Sequence, residues 1–238
     1  MRILYSILLF PLCIFFSFQT FCQATSPKEY LSEIKQDLQK KWPRNRTITL
    51  LFHGHSVPAG YFKTPTVNTF GAYPLQLLGL IKEEYPYAIV NVINTAKGGE
   101  NAESGENRFI ADVLSHKPDV LFLDYALNDR SIGLKKAKKA WESMIKQALA
   151  LEIKVILLTP SPDQRVDMLE KGNELEKHTE QIRELVDKHK IAIVDSYALF
   201  KEKILSGEDI KCYMSQVNHP NEKGHALIAE ALFGFFEL

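Results

Sequence analysis

The stretch TITLLF at residues 47–52, followed by HGHS at residues 53–56, decides the fold of this chain. The first part is short, apolar and rich in β-branched side chains, which is typical of a strand covered on both faces, as in a parallel sheet. The second part is polar and contains a glycine, as turns do. We therefore predict a buried strand whose carboxyl end presents histidine and serine side chains.

Four more apolar runs of the same kind follow, at residues 88–93, 120–123, 154–158 and 191–194. Segments in which apolar residues recur with helical spacing separate them. A strict alternation of strands and helices implies a parallel sheet with helices on both faces, joined by right-handed crossovers. The predicted fold class is therefore α/β, as a three-layer α/β/α sandwich around a five-stranded parallel sheet.

Helices are also expected outside and between these strands. One amphipathic helix should precede the sheet, and a last helix, over about residues 221–236, should follow it. The apolar face of the first helix is expected to consist of Leu31, Ile34, Leu38 and Trp42. The apolar face of the helix between the second and third strands is expected to consist of Phe109, Ile110, Val113 and Leu114.

The charge balance excludes one class of partner. The 238 residues include 29 Lys+Arg and 29 Asp+Glu, so the formal net charge is zero. A neutral chain provides no overall field to attract a polyanion, and we predict no nucleic-acid partner. The hydrophobic share of 45% and the charged share of 24% are those of an ordinary globular protein.

The first 24 residues carry one charged side chain, Arg2, and an apolar run up to residue 21. With Cys22-Gln23-Ala24 as a small-residue cleavage site, this pattern predicts a secretory signal peptide over residues 1–24. Residues 25–238 would then form a single exported domain, periplasmic or extracellular, with no membrane span. A retained membrane anchor and a lipid-modified Cys22 are the alternatives.

Chemically capable residues follow the predicted strands, at the sheet edge where open parallel sheets bind ligands. Ser56 follows the first strand, where backbone N–H groups at a turn or helix start favour a developing negative charge. Gly98-Gly99 allows the backbone to approach a ligand closely, and the Asn128 amide can donate a hydrogen bond to an oxyanion. His219, held extended by the proline after it, is suitably placed for a base.

In chain order, these residues resemble the sequence blocks of the SGNH hydrolase family, also called GDSL esterases and lipases. The matching segments are Gly54-His55-Ser56 with Gly60, then Gly99, then Ala126-Leu127-Asn128-Asp129, and finally Gln216-Val217-Asn218-His219-Pro220. The resemblance implies a flavodoxin-like SGNH hydrolase fold and ester hydrolysis without a metal or a cofactor. It implies that Ser56 is the nucleophile and His219 the base. It also implies an oxyanion hole formed by the Ser56 N–H, the Gly99 N–H and the Asn128 side chain.

Two departures from the family pattern bear on the chemistry. His55 replaces the aspartate of the first block, and Gln216 stands where the family has its triad aspartate. In a different serine hydrolase, changing that aspartate to its amide lowers turnover about 10⁴-fold. The side-chain oxygen of Gln216 could still accept a hydrogen bond from Nδ1–H of His219, and a backbone carbonyl could serve instead. We predict a working Ser–His dyad with one of these two orienting groups.

The substrate is expected to be a small acyl ester, because the chain has no long apolar insertion that would cover a long acyl chain. Acetyl esters of carbohydrates are the expected class. Two other functions remain open. One is a metal-dependent hydrolase that uses His53 and His55, with His219 and His225 as further ligands. The other is a glycan-binding protein of the same fold with weak or no catalysis.

Overall fold

The computed structural model describes residues 27–238, so the predicted signal peptide lies outside the described residues. The sheet has five parallel strands in the order β2-β1-β3-β4-β5. Their bounds are β1 Thr47–Gly54, β2 Ile89–Asn94, β3 Val120–Asp124, β4 Lys154–Leu158 and β5 Ala192–Val194. Each apolar run of the sequence forms one strand, which confirms the predicted α/β class.

Ten α-helices accompany the sheet in the described chain. Their bounds are α1 Pro27–Tyr30, α2 Ser32–Leu38, α3 Ser56–Ala59, α4 Tyr73–Glu84, α5 Ala102–Asn107, α6 Phe109–Asp112, α7 Leu134–Leu149, α8 Glu174–His189, α9 Ser196–Leu205 and α10 Glu222–Phe233. A short antiparallel pair, β6 Met214–Gln216 and β7 His219–Pro220, lies just before α10.

The strands divide the core into two layers. Successive side chains of β1 point to opposite faces, so Leu50 and Phe52 join one apolar cluster and Leu51 the other. The first cluster also contains residues of α2, α4, α9 and α10, and the second contains residues of α5, α6, α7 and α8. The three-layer α/β/α arrangement is therefore as predicted.

Two helical predictions are wrong in detail. The first helix is divided into α1 and α2 and ends at Leu38, so Trp42 lies outside it and is 83% exposed. Pro43 follows Trp42 and disfavours helical backbone there. The helix between β2 and β3 is likewise broken at Arg108, which turns Ile110 to solvent.

No helix within residues 27–238 is long and apolar enough to cross a membrane. The strand order matters more for the site. Because β1 lies between β2 and β3, the winding of the sheet reverses next to β1. A crevice forms at such a reversal, outside the carboxyl ends of the strands, and Ser56 follows β1 at that edge.

Candidate active site

Ser56 is the first residue of α3, directly after β1, and it is mostly buried. The ring of His55 caps this helix, because its Nδ1 accepts a hydrogen bond from the Val57 N–H at 3.2 Å. Gly60 ends the helix with a left-handed φ of 89°. His55 thus performs the helix capping that a short acidic side chain can perform at the same position.

His219 is brought to Ser56 by the β6–β7 pair. Its Nε2 lies 2.9 Å from Ser56 Oγ, and both side chains are buried. Asn221 caps α10 immediately afterwards by accepting from the Gly224 N–H. Residues 163 positions apart in the chain therefore meet as a hydroxyl and an imidazole at hydrogen-bond distance.

The other ring nitrogen of His219 has two neighbours. Nδ1 lies 2.9 Å from the carbonyl oxygen of Phe62 and 2.8 Å from Nε2 of Gln216. The side-chain oxygen of Gln216 points elsewhere and accepts from the Thr64 N–H at 3.0 Å. Gln216 is therefore adjacent to His219, as its position in the last of the matching sequence segments predicts. Its amide, however, directs the NH₂ group toward the imidazole, whereas the oxygen was expected there.

The surroundings of His219 keep its ring neutral near neutral pH. Burial lowers the pKa of His219 below its usual 6.5, the Phe62 carbonyl opposes that shift, and the neighbouring His55 adds to it. A neutral imidazole is the form that can accept a proton from a serine hydroxyl.

The residues predicted as an oxyanion hole follow the carboxyl ends of β1, β2 and β3. Gly99 has a left-handed φ of 80°, a conformation that glycine adopts without strain. The Asn128 side-chain amide donates to the Glu100 carbonyl at 2.8 Å, which ties the Gly99 loop to the end of β3. An amide NH₂ has two N–H groups, so one remains for a ligand.

Behind Ser56 lies a polar group whose role the sequence did not reveal. The carboxylate of Asp124, at the end of β3, has Oδ1 3.2 Å from His55 Nε2. Its other oxygen accepts from the Tyr73 hydroxyl at 3.1 Å. Nδ1 of His55 is an acceptor, so the ring proton is on Nε2, which lies near this carboxylate without forming a hydrogen bond to it. The signal for this group in the sequence was an acidic residue at the end of a buried strand.

Asp129 follows the Asn128 position and is fully buried. Its carboxylate accepts from the Ala102 N–H at 2.7 Å and from the Trp141 indole N–H at 2.6 Å. Burial raises the pKa of Asp129 to about 6. This carboxylate therefore fastens α5 and α7 to the loop that carries Asn128.

The four histidines of the metal alternative do not converge on one point. His53 is fully buried, with Nδ1 2.8 Å from Thr95 Oγ1 and Nε2 donating to the Gly105 carbonyl at 3.1 Å. His225 Nδ1 accepts from the Tyr73 N–H at 3.2 Å. Between residues 27 and 238, no group of three His, Cys, Asp or Glu side chains has the arrangement of a metal site.

A protein-family comparison matches residues 52–227 to the GDSL-like Lipase/Acylhydrolase family. An acetylxylan esterase from Geobacillus stearothermophilus is 22% identical over 199 residues, which are 76% of this chain and 90% of that protein. The crystal structure of Axe2, an acetylxylan esterase from the same organism, aligns with a TM-score of 0.70 at 20% identity over 80% of this chain and 94% of that chain. A two-domain esterase (CEX) active on acetylated mannans also aligns with a TM-score of 0.70, over 87% of this chain and 52% of that chain, at 20% identity. These structural similarities confirm the predicted SGNH hydrolase fold.

Proposed function

Since the chain belongs to the GDSL-like lipase/acylhydrolase family and is a carboxylic ester hydrolase, we propose that it removes acetyl groups from carbohydrate, with Ser56 as nucleophile and His219 as base. The observation that carries the proposal is the 2.9 Å separation of Ser56 Oγ and His219 Nε2 in a buried setting. A serine hydroxyl becomes a useful nucleophile when a positioned base can take its proton as it attacks.

The reaction proceeds in two halves. Ser56 Oγ attacks the acyl carbon while its proton passes to His219 Nε2, and the resulting oxyanion accepts hydrogen bonds from the Ser56 N–H, the Gly99 N–H and the Asn128 amide. The carbon–oxygen bond to the alcohol then breaks, and the proton on Nε2 passes to the departing oxygen. Water, deprotonated by the same nitrogen, attacks the acyl-enzyme and releases the carboxylic acid, while the proton returns to Ser56 Oγ.

Two relatives support the substrate class, since one is an acetylxylan esterase and another is active on acetylated mannans. In this chain the loop between α3 and α4, residues 60–72, folds back on itself through the paired backbone of Tyr61 and Val67. The proposed substrate is therefore a carbohydrate ester of a small acid, in which the saccharide is the leaving alcohol.

Export belongs to the same proposal. Cleavage near Ala24 would release residues 25–238 to the periplasm or the medium, where polymeric carbohydrate is accessible. Expression of the full chain, followed by mass analysis of the processed protein, tests this step. A product that keeps residues 1–24 would contradict it.

The substrate test uses acetylated xylo- and manno-oligosaccharides together with nitrophenyl acetate, butyrate, octanoate and dodecanoate. We expect acetate release from the oligosaccharides, the highest kcat/KM among the nitrophenyl esters for acetate, and loss of both activities in Ser56→Ala. Ser115→Ala is the matched control, because Ser115 is exposed and precedes β3 at the opposite edge of the sheet. A preference for dodecanoate, or saccharide binding without any hydrolysis, would contradict the proposal.

A further inference from the structure

The two neighbours of His219 Nδ1 favour opposite tautomers of the ring. The Phe62 carbonyl can only accept a hydrogen bond, so it favours the tautomer with the proton on Nδ1. The Gln216 NH₂ group can only donate, so it favours the tautomer with the proton on Nε2. Only the first tautomer leaves the Nε2 lone pair free for the proton of Ser56.

The orientation of the Gln216 amide is fixed by its other contacts. Its oxygen accepts from the Thr64 N–H at 3.0 Å, and its nitrogen lies 3.4 Å from Asn218 Oδ1. A half-turn of the amide would place NH₂ against the Thr64 N–H, two donors facing each other. Gln216 therefore cannot replace the triad carboxylate as an acceptor without losing its bond to Thr64.

Phe62 is held in place by independent contacts. Its ring stacks on the buried ring of His225, with centroids 5.1 Å apart and planes at 10°. Burial lowers the pKa of His225 to about 3, so the ring on which Phe62 stacks is neutral. Nδ1 of that ring accepts a hydrogen bond from the Tyr73 N–H, which fixes its orientation. The Phe62 N–H donates to the Thr66 carbonyl at 3.1 Å, within a turn closed by the bond from the Asn68 N–H to the Gly60 carbonyl.

From these contacts we propose that the main-chain carbonyl of Phe62 takes the orienting role of the missing triad acid. It selects the active tautomer of His219, and Gln216 is a positioning residue that fastens the Phe62 segment through Thr64. The proposal rests on Ser56 and His219 acting as nucleophile and base. It assigns the third member of the site to a backbone atom that no side-chain substitution removes.

Weakening that carbonyl alone is the direct test. Replacing Lys63 by its α-hydroxy acid turns the 62–63 peptide bond into an ester, whose carbonyl is a poorer acceptor, and no hydrogen bond is observed from the Lys63 N–H in the described chain. We expect kcat for nitrophenyl acetate to fall about tenfold with little change in KM, as the loss of one good hydrogen bond implies. The same replacement at Lys41, before the first strand, is the matched control and should leave kcat unchanged.

A spectroscopic readout separates this proposal from the proposed function. Nitrogen-15 NMR of the His219 ring reports which nitrogen carries the proton and requires no substrate. We expect the Nδ1–H tautomer to dominate in the unmodified protein and to lose population in the 62–63 ester. An unchanged tautomer ratio together with an unchanged kcat would overturn the proposal, even if Ser56→Ala is inactive as the proposed function requires.

Gln216→Glu gives a rescue experiment. Glutamate has the same length, so one carboxylate oxygen can keep the Thr64 bond while the other accepts from His219 Nδ1–H. In this background the 62–63 ester should lower kcat less than twofold, because the carboxylate replaces the carbonyl. A full tenfold loss in both backgrounds would show that the ester acts by disturbing the turn, and would contradict the proposed role of the carbonyl.

Discussion

At the scale of single residues, His55 and Gln216 are the two positions where the sequence led us to expect different chemistry, and each has a local physical explanation. His55 forms the capping bond at the start of α3 and places its other ring nitrogen 3.2 Å from Asp124 Oδ1. Gln216 lies beside His219 with the wrong polarity for an orienting acceptor, while a backbone carbonyl lies at the right distance. Residue identity therefore predicts Ser56 and His219, but it cannot predict Phe62, because every residue has a carbonyl.

Placing an aspartate at position 55 should harm this protein. In His55→Asp the new carboxylate would lie in a buried space beside Asp124, and two buried like charges repel. We expect the free energy of unfolding in urea to fall by about 3–5 kcal/mol. His55→Asn keeps a neutral capping oxygen and should lose less, and adding Asp124→Asn to His55→Asp should recover most of the loss. A stable His55→Asp variant would show that His55 and Asp124 are not coupled.

The pH dependence of hydrolysis follows from the lowered pKa of His219. A depressed pKa means that the ring stays unprotonated, and able to act as a base, to lower pH than an exposed histidine would. We expect the acid limb of kcat/KM to have its midpoint below pH 6.5, and Gln216→Glu to move that midpoint to higher pH, because a carboxylate stabilises the imidazolium. A profile of kcat/KM against pH checks both, and a midpoint above 7 in the unmodified protein would contradict the lowered pKa of His219.

At the scale of elements, the site depends on how closely β1 and β3 approach at their carboxyl ends. A Cβ at Gly54 would lie 2.5 Å from the Asp124 carbonyl oxygen and 2.7 Å from Pro58 Cγ. The glycine therefore lets the end of β1 pack against β3 and α3 at once. The apolar runs predicted all five strands, because burial on both faces leaves a clear pattern. The helices α1, α2, α5 and α6 were harder to predict, because the breaks at Leu31 and Arg108 fall within apolar patterns that continue across them.

A pair of glycine substitutions tests this packing. Gly54→Ala should lower the free energy of unfolding by about 1–3 kcal/mol, since the new methyl group meets backbone that cannot move aside. It should also reduce hydrolysis by displacing Ser56. Gly79→Ala is the matched control on the exposed side of α4, where no atom lies within 4 Å of the added Cβ, and it should raise stability by about 0.5–1 kcal/mol. Equal effects of the two substitutions on stability would contradict this reading of β1 and β3.

At the scale of the whole molecule, buried ionisable groups couple folding to pH. Burial lowers the pKa of His53 and His178 to about 4 and that of His225 to about 3. Burial raises the pKa of Asp129 to about 6. Below pH 6.5 these three histidines bind protons in the unfolded chain but stay neutral in the folded chain. Asp129 does the reverse, because it binds a proton in the folded chain and none in the unfolded chain. The histidine contribution to stability is therefore present above pH 6.5 and lost on acidification, and Asp129 offsets part of the loss.

The net result near pH 5 is an uptake of about two protons on unfolding, three at the histidines less one at Asp129. We expect the free energy of unfolding to fall by about 2.7 kcal/mol for each unit by which the pH is lowered in that range. Urea unfolding between about pH 7 and pH 4.5 measures this slope. Replacing His178 with glutamine should reduce the slope, and a free energy of unfolding independent of pH over this range would show that these histidines are not buried in neutral form.

The central claim is that Ser56, activated by His219, is the nucleophile of an ester hydrolase. Peptide mass mapping after reaction with a serine-directed organophosphonate tests it most directly, because the phosphonate bonds to an activated serine and remains attached. We predict a single adduct, on the peptide that contains Ser56, with loss of nitrophenyl acetate hydrolysis in proportion to labelling and no adduct in His219→Ala. An adduct on another serine, or hydrolysis that persists in the fully labelled protein, would contradict the account.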